Sequence, residues 1–263
     1  MRLGGKVALI TGGSRGIGRA TALAFVREGA MVSLCARGEA GLRSVSDEIA
    51  ERGGRSSITV CDVAVKEQAV ATVTGTLEQF GRIDVLVNNA GGGSLPDHRS
   101  LLEMDDQCWF DNMNVHLNAV WYFTKAVLPH MVGRKSGSVI NIASICGLAG
   151  MPNLGAYNAA KHGVIGLTRT LALEAGRFGI TCNAICPGAT RSGWTISDEG
   201  IGQLADSVGL DREEYTRRMV NNTPLRRLIE PEEIAEMAVY LASDAGRGIT
   251  GQSIAICGGV TMH

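Results

Sequence analysis

The sequence has little net charge. Its 263 residues include 25 basic and 26 acidic side chains, which gives a formal net charge of −1. Proteins that bind nucleic acids or anionic membranes usually carry a basic surplus, because they must neutralise phosphate groups. We therefore expect neither kind of partner.

The sequence also lacks a long hydrophobic run at its N-terminus. The first residues read MRLGGKVALITGG, in which the apolar stretch is too short for a signal peptide or a membrane span. We expect a cytoplasmic protein that does not enter a membrane.

The seven cysteines show neither a paired framework nor the spacing of a metal site. Most lie inside apolar runs such as VSLCAR and ITVCDV. Cys182 and Cys186 do not have C-x-x-C spacing, and no histidine pair completes a zinc site. We expect buried thiols in a reducing compartment and no bound metal.

No linker, low-complexity stretch or internal repeat divides the chain. Instead, short apolar runs alternate with longer segments that have apolar residues at helical spacing. Such alternation predicts a parallel sheet with helices on both faces. We predict one α/β domain over residues 1–263, with a Rossmann-like, doubly wound sheet. Its strands are expected at 6–11, 31–36, 56–61, 84–89, 137–144, 180–187 and 252–257.

One segment, 189–225, is long for a connection between elements and contains helical pieces broken by glycines. Two interpretations remain open. The segment is either a substrate lid over a cleft or a helical hairpin with no gating role.

A glycine-rich turn, TGGSRGIG, follows the first predicted strand and opens the first helix. Gly12, Gly16 and Gly18 permit a tight turn and a close approach of the backbone to a ligand. The helix would then present free N–H groups and the positive end of its dipole to a pyrophosphate. This arrangement predicts dinucleotide binding.

Tyr157 and Lys161 are four residues apart in AYNAAKHG, a stretch with helical character. Residues at this spacing lie on one face of a helix. A neighbouring ammonium group favours the ionised form of a phenol. We therefore expect Lys161 to lower the pKa of Tyr157, as suits a group that exchanges protons near neutral pH.

These motifs together resemble the short-chain dehydrogenase/reductase family. The glycine pattern is T-G-x-x-x-G-x-G. It is followed in family order by NNAG at 88–91, Ser144, Y-x-x-x-K at 157–161, and Pro187 with Gly188. The resemblance covers essentially the whole chain.

The resemblance implies a role for each catalytic position. Tyr157 would be the general acid in ketone reduction and the general base in alcohol oxidation. Lys161 would also hydrogen-bond the nicotinamide ribose, and Ser144 would hold the substrate oxygen.

Many relatives have an asparagine about forty residues before the tyrosine, where it helps to maintain a water relay to the lysine. In NMNVHLNAV this position falls on His116, with Asn114 and Asn118 two residues to either side. Three readings are open. His116 supports the relay through its backbone carbonyl, it titrates within the relay, or it is a packed histidine that leaves the relay weaker.

The second predicted strand ends at Ala36 and Arg37, where NAD-preferring proteins usually have an acidic residue. Arg37 and Arg15 are suited to gripping a 2′-phosphate. We predict NADP(H) as cofactor, with NAD(H) as the alternative.

The resemblance implies further cofactor contacts. Asp62 and Val63 would lie near the adenine, and Thr190 and Ser192 near the nicotinamide amide. The complete expected set is Gly12, Ser14, Arg15, Gly16, Ile17, Gly18, Arg37, Asp62, Val63, Asn89, Ala90, Gly91, Tyr157, Lys161, Pro187, Gly188, Thr190 and Ser192.

The substrate wall is expected at 92–96, 146–154 and 193–215, which are mostly apolar or small residues. We predict an oxidoreductase that interconverts a neutral or β-keto carbonyl compound and a secondary alcohol. The resemblance is strongest to β-ketoacyl and polyketide ketoreductases and to 3-hydroxybutyrate dehydrogenases, and it implies a homotetramer or dimer. The alternative is a nucleotide-binding sensor or scaffold protein without turnover.

Overall fold

The computed structural model describes residues 1–91, 99–192, 198–206 and 208–262. Seven parallel strands form one sheet in the order β3-β2-β1-β4-β5-β6-β7. The strands are β1 (Val7–Thr11), β2 (Met31–Ala36), β3 (Ser56–Val60), β4 (Val85–Asn88), β5 (Gly137–Ile142), β6 (Ile180–Pro187) and β7 (Ser253–Ile256). All seven predicted strands are confirmed, as is the doubly wound α/β fold.

Nine α-helices connect and cover these strands in the described part of the chain. They are α1 (Gly16–Arg27), α2 (Glu39–Glu51), α3 (Lys66–Phe80), α4 (Asp106–Met113), α5 (Ala119–Arg134), α6 (Gly155–Ala175), α7 (Asp198–Asp206), α8 (Arg212–Asn221) and α9 (Pro231–Ala242). Helices α7 and α8 pack together within the expected lid segment, which both interpretations of that segment allow. Its gating role stays a prediction.

The alternation of side chains along the strands produces two cores. In β1, Ala8 and Ile10 join the core beneath α1, α2 and α9, whereas Leu9 joins the core beneath α3, α5 and α6. This follows from the two-residue period of a strand. A sheet with both faces buried explains the near-continuous apolar runs in the sequence.

The carboxyl ends of the strands lie at one edge, because all the strands are parallel. The chain builds outward from β1 through β2 to β3, then crosses to β4 and builds in the other direction. The edge between β1 and β4 is therefore the topological switch point, where sheets of this kind bind ligands.

Candidate active site

The glycine-rich turn leaves β1 at this switch point. Gly12 and Gly16 have φ of 67° and 54°, in the left-handed region that favours glycine. A Cβ built on Gly18 would overlap the carbonyl oxygen of Gly12. The turn therefore needs glycine at all three positions.

Helix α1 begins inside this turn and has no side-chain cap. Its N-cap is Arg15, whose side chain makes no capping hydrogen bond. The first-turn N–H groups are therefore oriented toward the switch point as an anion site. Ser14 and Ile17, two of the expected contacts, flank this start.

Thr11 and Asn89 tie the glycine turn to β4. The Thr11 hydroxyl accepts hydrogen bonds from the N–H groups of Asn89 (3.0 Å) and Ala90 (2.9 Å). The Asn89 amide donates to the carbonyls of Thr11 (2.9 Å) and Gly12 (3.1 Å). Asn89 and Ala90 thus hold the turn in place, and Thr11 is a site residue that sequence reasoning missed.

The end of β2 carries cationic side chains without a carboxylate. Ala36 is its last residue, and Arg37 follows as an exposed side chain, as is Arg15 in the turn. Neither guanidinium forms an ion pair with a described residue. This edge is therefore suited to an additional phosphate group.

Asp62 and Val63 follow β3 on the same edge. The Asp62 carboxylate accepts a hydrogen bond from the Ala64 N–H at 3.0 Å, and its own N–H donates to Gln68. Val63 is buried in the core beneath α3. Both positions border the expected adenine site, and their contact with it stays a prediction.

Tyr157 and Lys161 lie on one face of α6. Lys161 is 4% exposed, and its ammonium donates a hydrogen bond to the carbonyl of Ile142 at 2.9 Å. The same nitrogen lies 5.6 Å from the centroid of the Tyr157 ring. The structure thus brings the phenol and the cation together at the end of β5.

The direction of the Tyr157 shift is opposite to the one expected. Burial raises the pKa of Tyr157, and the Cys146 thiol adds to this, whereas a hydrogen bond with Ser144 lowers it by less. Burial also lowers the pKa of Lys161 to about 8. Near neutral pH the site therefore holds a neutral phenol beside an ammonium group, which is the protonation state of a proton donor.

Ser144 follows the end of β5 and is buried at the same point. Its hydroxyl oxygen accepts a hydrogen bond from the Cys146 N–H at 3.1 Å, which begins a short helical turn at Ile145–Gly147. This bond fixes the hydroxyl beside the phenol. Ser144, Tyr157 and Lys161 therefore form one cluster.

His116 joins this cluster from a π-helical turn, Asn114–Asn118, between α4 and α5. Its ring lies edge-on to Tyr157 with a centroid distance of 4.9 Å. Burial and then the Lys161 charge hold the pKa of His116 well below its ordinary value, which argues against titration of this ring near neutral pH. Asn114 and Asn118 hydrogen-bond each other at 2.8 Å.

The end of β6 borders the cluster on its other side. A Cβ on Gly188, which follows Pro187, would lie 2.8 Å from the Cα of Cys257. Thr190 is buried and donates to the Gly188 carbonyl at 3.0 Å, while the Ser192 N–H donates to the Thr190 carbonyl at 2.7 Å. These bonds shape the chain where the nicotinamide amide is expected.

The wall segment expected at 146–154 packs into an apolar cluster. Ile145, Cys146 and Cys257 form a buried cluster, against which Met151, Leu154 and Tyr157 pack. Of the other expected wall segments, residues 92–96, 193–197 and 207 lie outside the described residues. Sequence reasoning missed Leu101 and Met104, whose side chains crowd Gly155, two residues before Tyr157.

Arg191 is not an unpaired anion receptor. Its guanidinium forms an ion pair with Glu230, with Nε 2.9 Å from the carboxylate. The pair neutralises the arginine that the sequence leaves as a candidate for holding a substrate carboxylate. Arg191 therefore already has a carboxylate partner within the protein.

The chain is similar in sequence to known proteins over nearly its whole length. A family profile described as enoyl-(acyl carrier protein) reductase matches residues 12–261. The 3-oxoacyl-(acyl-carrier-protein) reductase of Thermotoga maritima is 37% identical over 262 residues, which is 100% of both chains.

Two solved structures are similar along nearly the whole chain. A variant of the actinorhodin polyketide ketoreductase with NADPH is 36% identical, with a TM-score of 0.91 and coverage of 98% of each chain. A xylitol dehydrogenase with bound NAD⁺ is 29% identical, with a TM-score of 0.92 and coverage of 98% of this chain and 100% of the other. Among the described residues, no helix is long and apolar enough to span a membrane.

Proposed function

Since the chain belongs to the short-chain dehydrogenase/reductase family, we propose that it is an NADP(H)-dependent enzyme that interconverts a ketone and a secondary alcohol. The observation that carries the proposal is the buried cluster of Ser144, Tyr157 and Lys161 beside the glycine-rich turn. A neutral phenol, a fixed hydroxyl and an ammonium group lie together where the strands end.

The cluster supplies what reduction of a ketone requires of the protein. When bound, the nicotinamide supplies the hydride that reaches the carbonyl carbon. Tyr157 donates its proton to the carbonyl oxygen as negative charge grows there, and the Ser144 hydroxyl stabilises the same oxygen. Lys161 provides a positive charge close to the phenolate that remains. In alcohol oxidation the proton returns to Tyr157.

The fit of a dinucleotide rests on the glycine turn and the uncapped start of α1. The turn packs closely against the chain that follows β4, since a Cβ at Gly12 would lie 2.9 Å from both Ala90 Cα and the Asn89 amide nitrogen. Gly12, Gly16, Gly18 and the first-turn N–H groups would hold the pyrophosphate.

The preference for NADP(H) rests on Arg15 and Arg37, which lack ion-pair partners among the described residues. A guanidinium binds phosphate with parallel hydrogen bonds. Of the two structural neighbours, the ketoreductase holds NADPH and the xylitol dehydrogenase holds NAD⁺. NAD(H) is therefore the alternative cofactor, and a comparison of NADPH and NADH binding distinguishes the two.

The substrate we propose is a neutral ketone such as a β-keto ester or a diketone. Support comes from the apolar wall around Cys146 and Met151 and from the neutralisation of Arg191 by Glu230. The similarity to a 3-oxoacyl reductase agrees with a β-keto group.

The test is the loss of NADPH absorbance with a panel of β-keto esters, diketones and simple ketones. We expect turnover with at least one β-keto ester or diketone. Tight NADPH binding with no turnover across the panel would instead favour a sensor or scaffold protein.

We also propose a homotetramer or dimer. Phe110 on α4 and Trp121 on α5 are 58% and 45% exposed in the single chain, and large apolar side chains of this kind are typical of interfaces. Light scattering of the purified protein should give two or four times the chain mass of 27.7 kDa. A monomer at micromolar concentration would contradict this assembly.

A further inference from the structure

Helix α6 is attached to β5 by hydrogen bonds to two successive residues of the strand. The Lys161 ammonium donates to the Ile142 carbonyl at 2.9 Å. The preceding strand residue, Asn141, donates from its side-chain amide nitrogen to the Thr168 hydroxyl at 2.8 Å. Asn141 is 1% exposed and Thr168 is 0% exposed. The Asn141–Thr168 bond therefore joins the strand to the helix in the interior of the protein.

Thr168 lies on the face of α6 that carries the catalytic side chains. Lys161 follows Tyr157 by four residues, and Thr168 follows Lys161 by seven. These spacings keep all three side chains on one side of an α-helix. Seven residues correspond to a rise of about 10.5 Å along the helix axis. The two attachments therefore hold α6 at well-separated points, which fixes both its rotation and its position along its own axis.

The atoms of the second attachment are themselves held in place. The Asn141 oxygen accepts a hydrogen bond from the Asn88 amide nitrogen at 2.8 Å, and the two residues are partners in the β4–β5 pairing. The same Asn88 nitrogen lies 3.2 Å from the Thr124 hydroxyl on α5. The Thr168 hydroxyl donates to the Val164 carbonyl at 2.8 Å. The Asn141 amide is therefore a fixed point against which α6 is placed.

The placement of α6 matters because the catalytic groups come from two elements. Tyr157 and Lys161 lie on the helix, whereas Ser144 follows β5 and is two residues beyond Ile142. A displacement of about 1 Å in a reacting group can lower the rate of a reaction by about 100-fold. A helix held to β5 at Lys161 alone could turn or slide, and the phenol would move relative to the Ser144 hydroxyl.

We propose that Asn141 and Thr168 are positioning residues for Tyr157 and Lys161. They act through α6, whose axial position and rotation they fix against β5, and not by contact with the reacting atoms. Their effect on turnover rests on the function proposed above. Their effect on the order of α6 does not, so the two can be tested separately.

The variants must separate positioning from stability. Thr168→Val removes the hydroxyl at nearly constant volume, Thr168→Ala removes it without a β-branched side chain, and Thr168→Ser retains it. The matched control is Thr76→Val in α3. The Thr76 hydroxyl is also buried, lies 2.8 Å from the Ser33 hydroxyl on β2 and donates to the Thr72 carbonyl at 2.8 Å. It likewise joins a strand to a covering helix, but that helix carries none of the catalytic side chains.

The first test measures ketone reduction with the substrate that the panel identifies. We expect kcat to fall by about 10- to 100-fold in Thr168→Val and in Thr168→Ala, with NADPH affinity unchanged. Thr168→Ser should retain most of the wild-type kcat. Thr76→Val should lower the urea midpoint of unfolding, as Thr168→Val does, but leave kcat unchanged. The same kcat in Thr168→Val and Thr76→Val would overturn the proposal.

The second test needs no ketone. Amide hydrogen exchange measured by mass spectrometry reports the opening of individual segments. We expect peptides from the first two turns of α6, residues 155–162, to exchange about tenfold faster in Thr168→Val than in wild type. The same peptides should be unchanged in Thr76→Val.

Faster exchange that is confined to the turns around Thr168 would overturn the positioning role, because the loss would then not reach Tyr157 and Lys161. A lack of turnover across the whole panel would instead overturn the proposed function. The exchange experiment would still decide whether Thr168 and Asn141 hold the catalytic end of α6. Failure of the one proposal is therefore distinguishable from failure of the other.

Discussion

The ring of His116 stands edge-on to the ring of Tyr157, with a centroid distance of 4.9 Å and an interplanar angle of 88°. The Lys161 ammonium lies 5.6 Å from the same phenol ring. Tyr157 thus has two buried neighbours, an imidazole from the π-helical turn and a cation from its own helix.

Gly18→Ala should weaken cofactor binding and destabilise the fold. The added Cβ would overlap the Gly12 carbonyl and lie 2.6 Å from the Asn89 amide nitrogen. The matched control is Gly75→Ala in α3, where the Cβ meets nothing within 4 Å. The control should raise the free energy of unfolding by about 0.5–1 kcal/mol, because alanine favours a helix interior. Urea unfolding measures the free energy of unfolding, and NADPH titration measures cofactor affinity. Equal values of both quantities in the two variants would contradict this interpretation of the turn.

Arg37→Asp should weaken NADPH binding by about 10- to 100-fold, because a hydrogen bond to a charged group contributes about 1.5–3 kcal/mol. NADH binding should change much less. Arg52→Asp, at the far end of α2, is the control and should affect neither cofactor. Fluorescence titration with both nucleotides gives the ratio of the two dissociation constants in each variant. Equal losses of affinity for NADPH and NADH would show that the phosphate site lies elsewhere.

Ketone reduction should decline above about pH 8. Burial lowers the pKa of Lys161 to about 8, so the ammonium is present below that pH and is lost as the pH rises through it. The raised pKa of Tyr157 keeps the phenol protonated over the same range. The pH profile of kcat/KM measures this decline on the alkaline side. A profile that stays flat to pH 10 would contradict the requirement for a charged Lys161.

The sheet and the main motifs were predictable because their signals are local. Buried parallel strands appear in the sequence as short runs rich in β-branched residues. The glycine turn lies where one such run meets a helix. The spacing of Tyr157 and Lys161 fixes their common face on any helix. These features depend on neighbours within a few residues.

The features that escaped prediction depend on tertiary contacts. Thr11 binds the N–H groups of Asn89 and Ala90 only because β1 and β4 are neighbours in the sheet. The π-helical turn that carries His116 has no pattern in the sequence that distinguishes it from an α-helix. The expected direction of the Tyr157 pKa shift was wrong because burial, which the spacing of two residues does not reveal, is the largest influence and raises the pKa.

The most direct test of the central claim is a comparison of Tyr157→Phe with wild type, using the ketone that the panel identifies. The variant keeps the ring and removes only the proton donor. We predict that kcat/KM falls by about 10²- to 10⁴-fold, while NADPH binding and the free energy of unfolding stay close to wild type. Turnover within a few-fold of wild type would contradict the account, because Tyr157 would then not be the group that gives the substrate its proton.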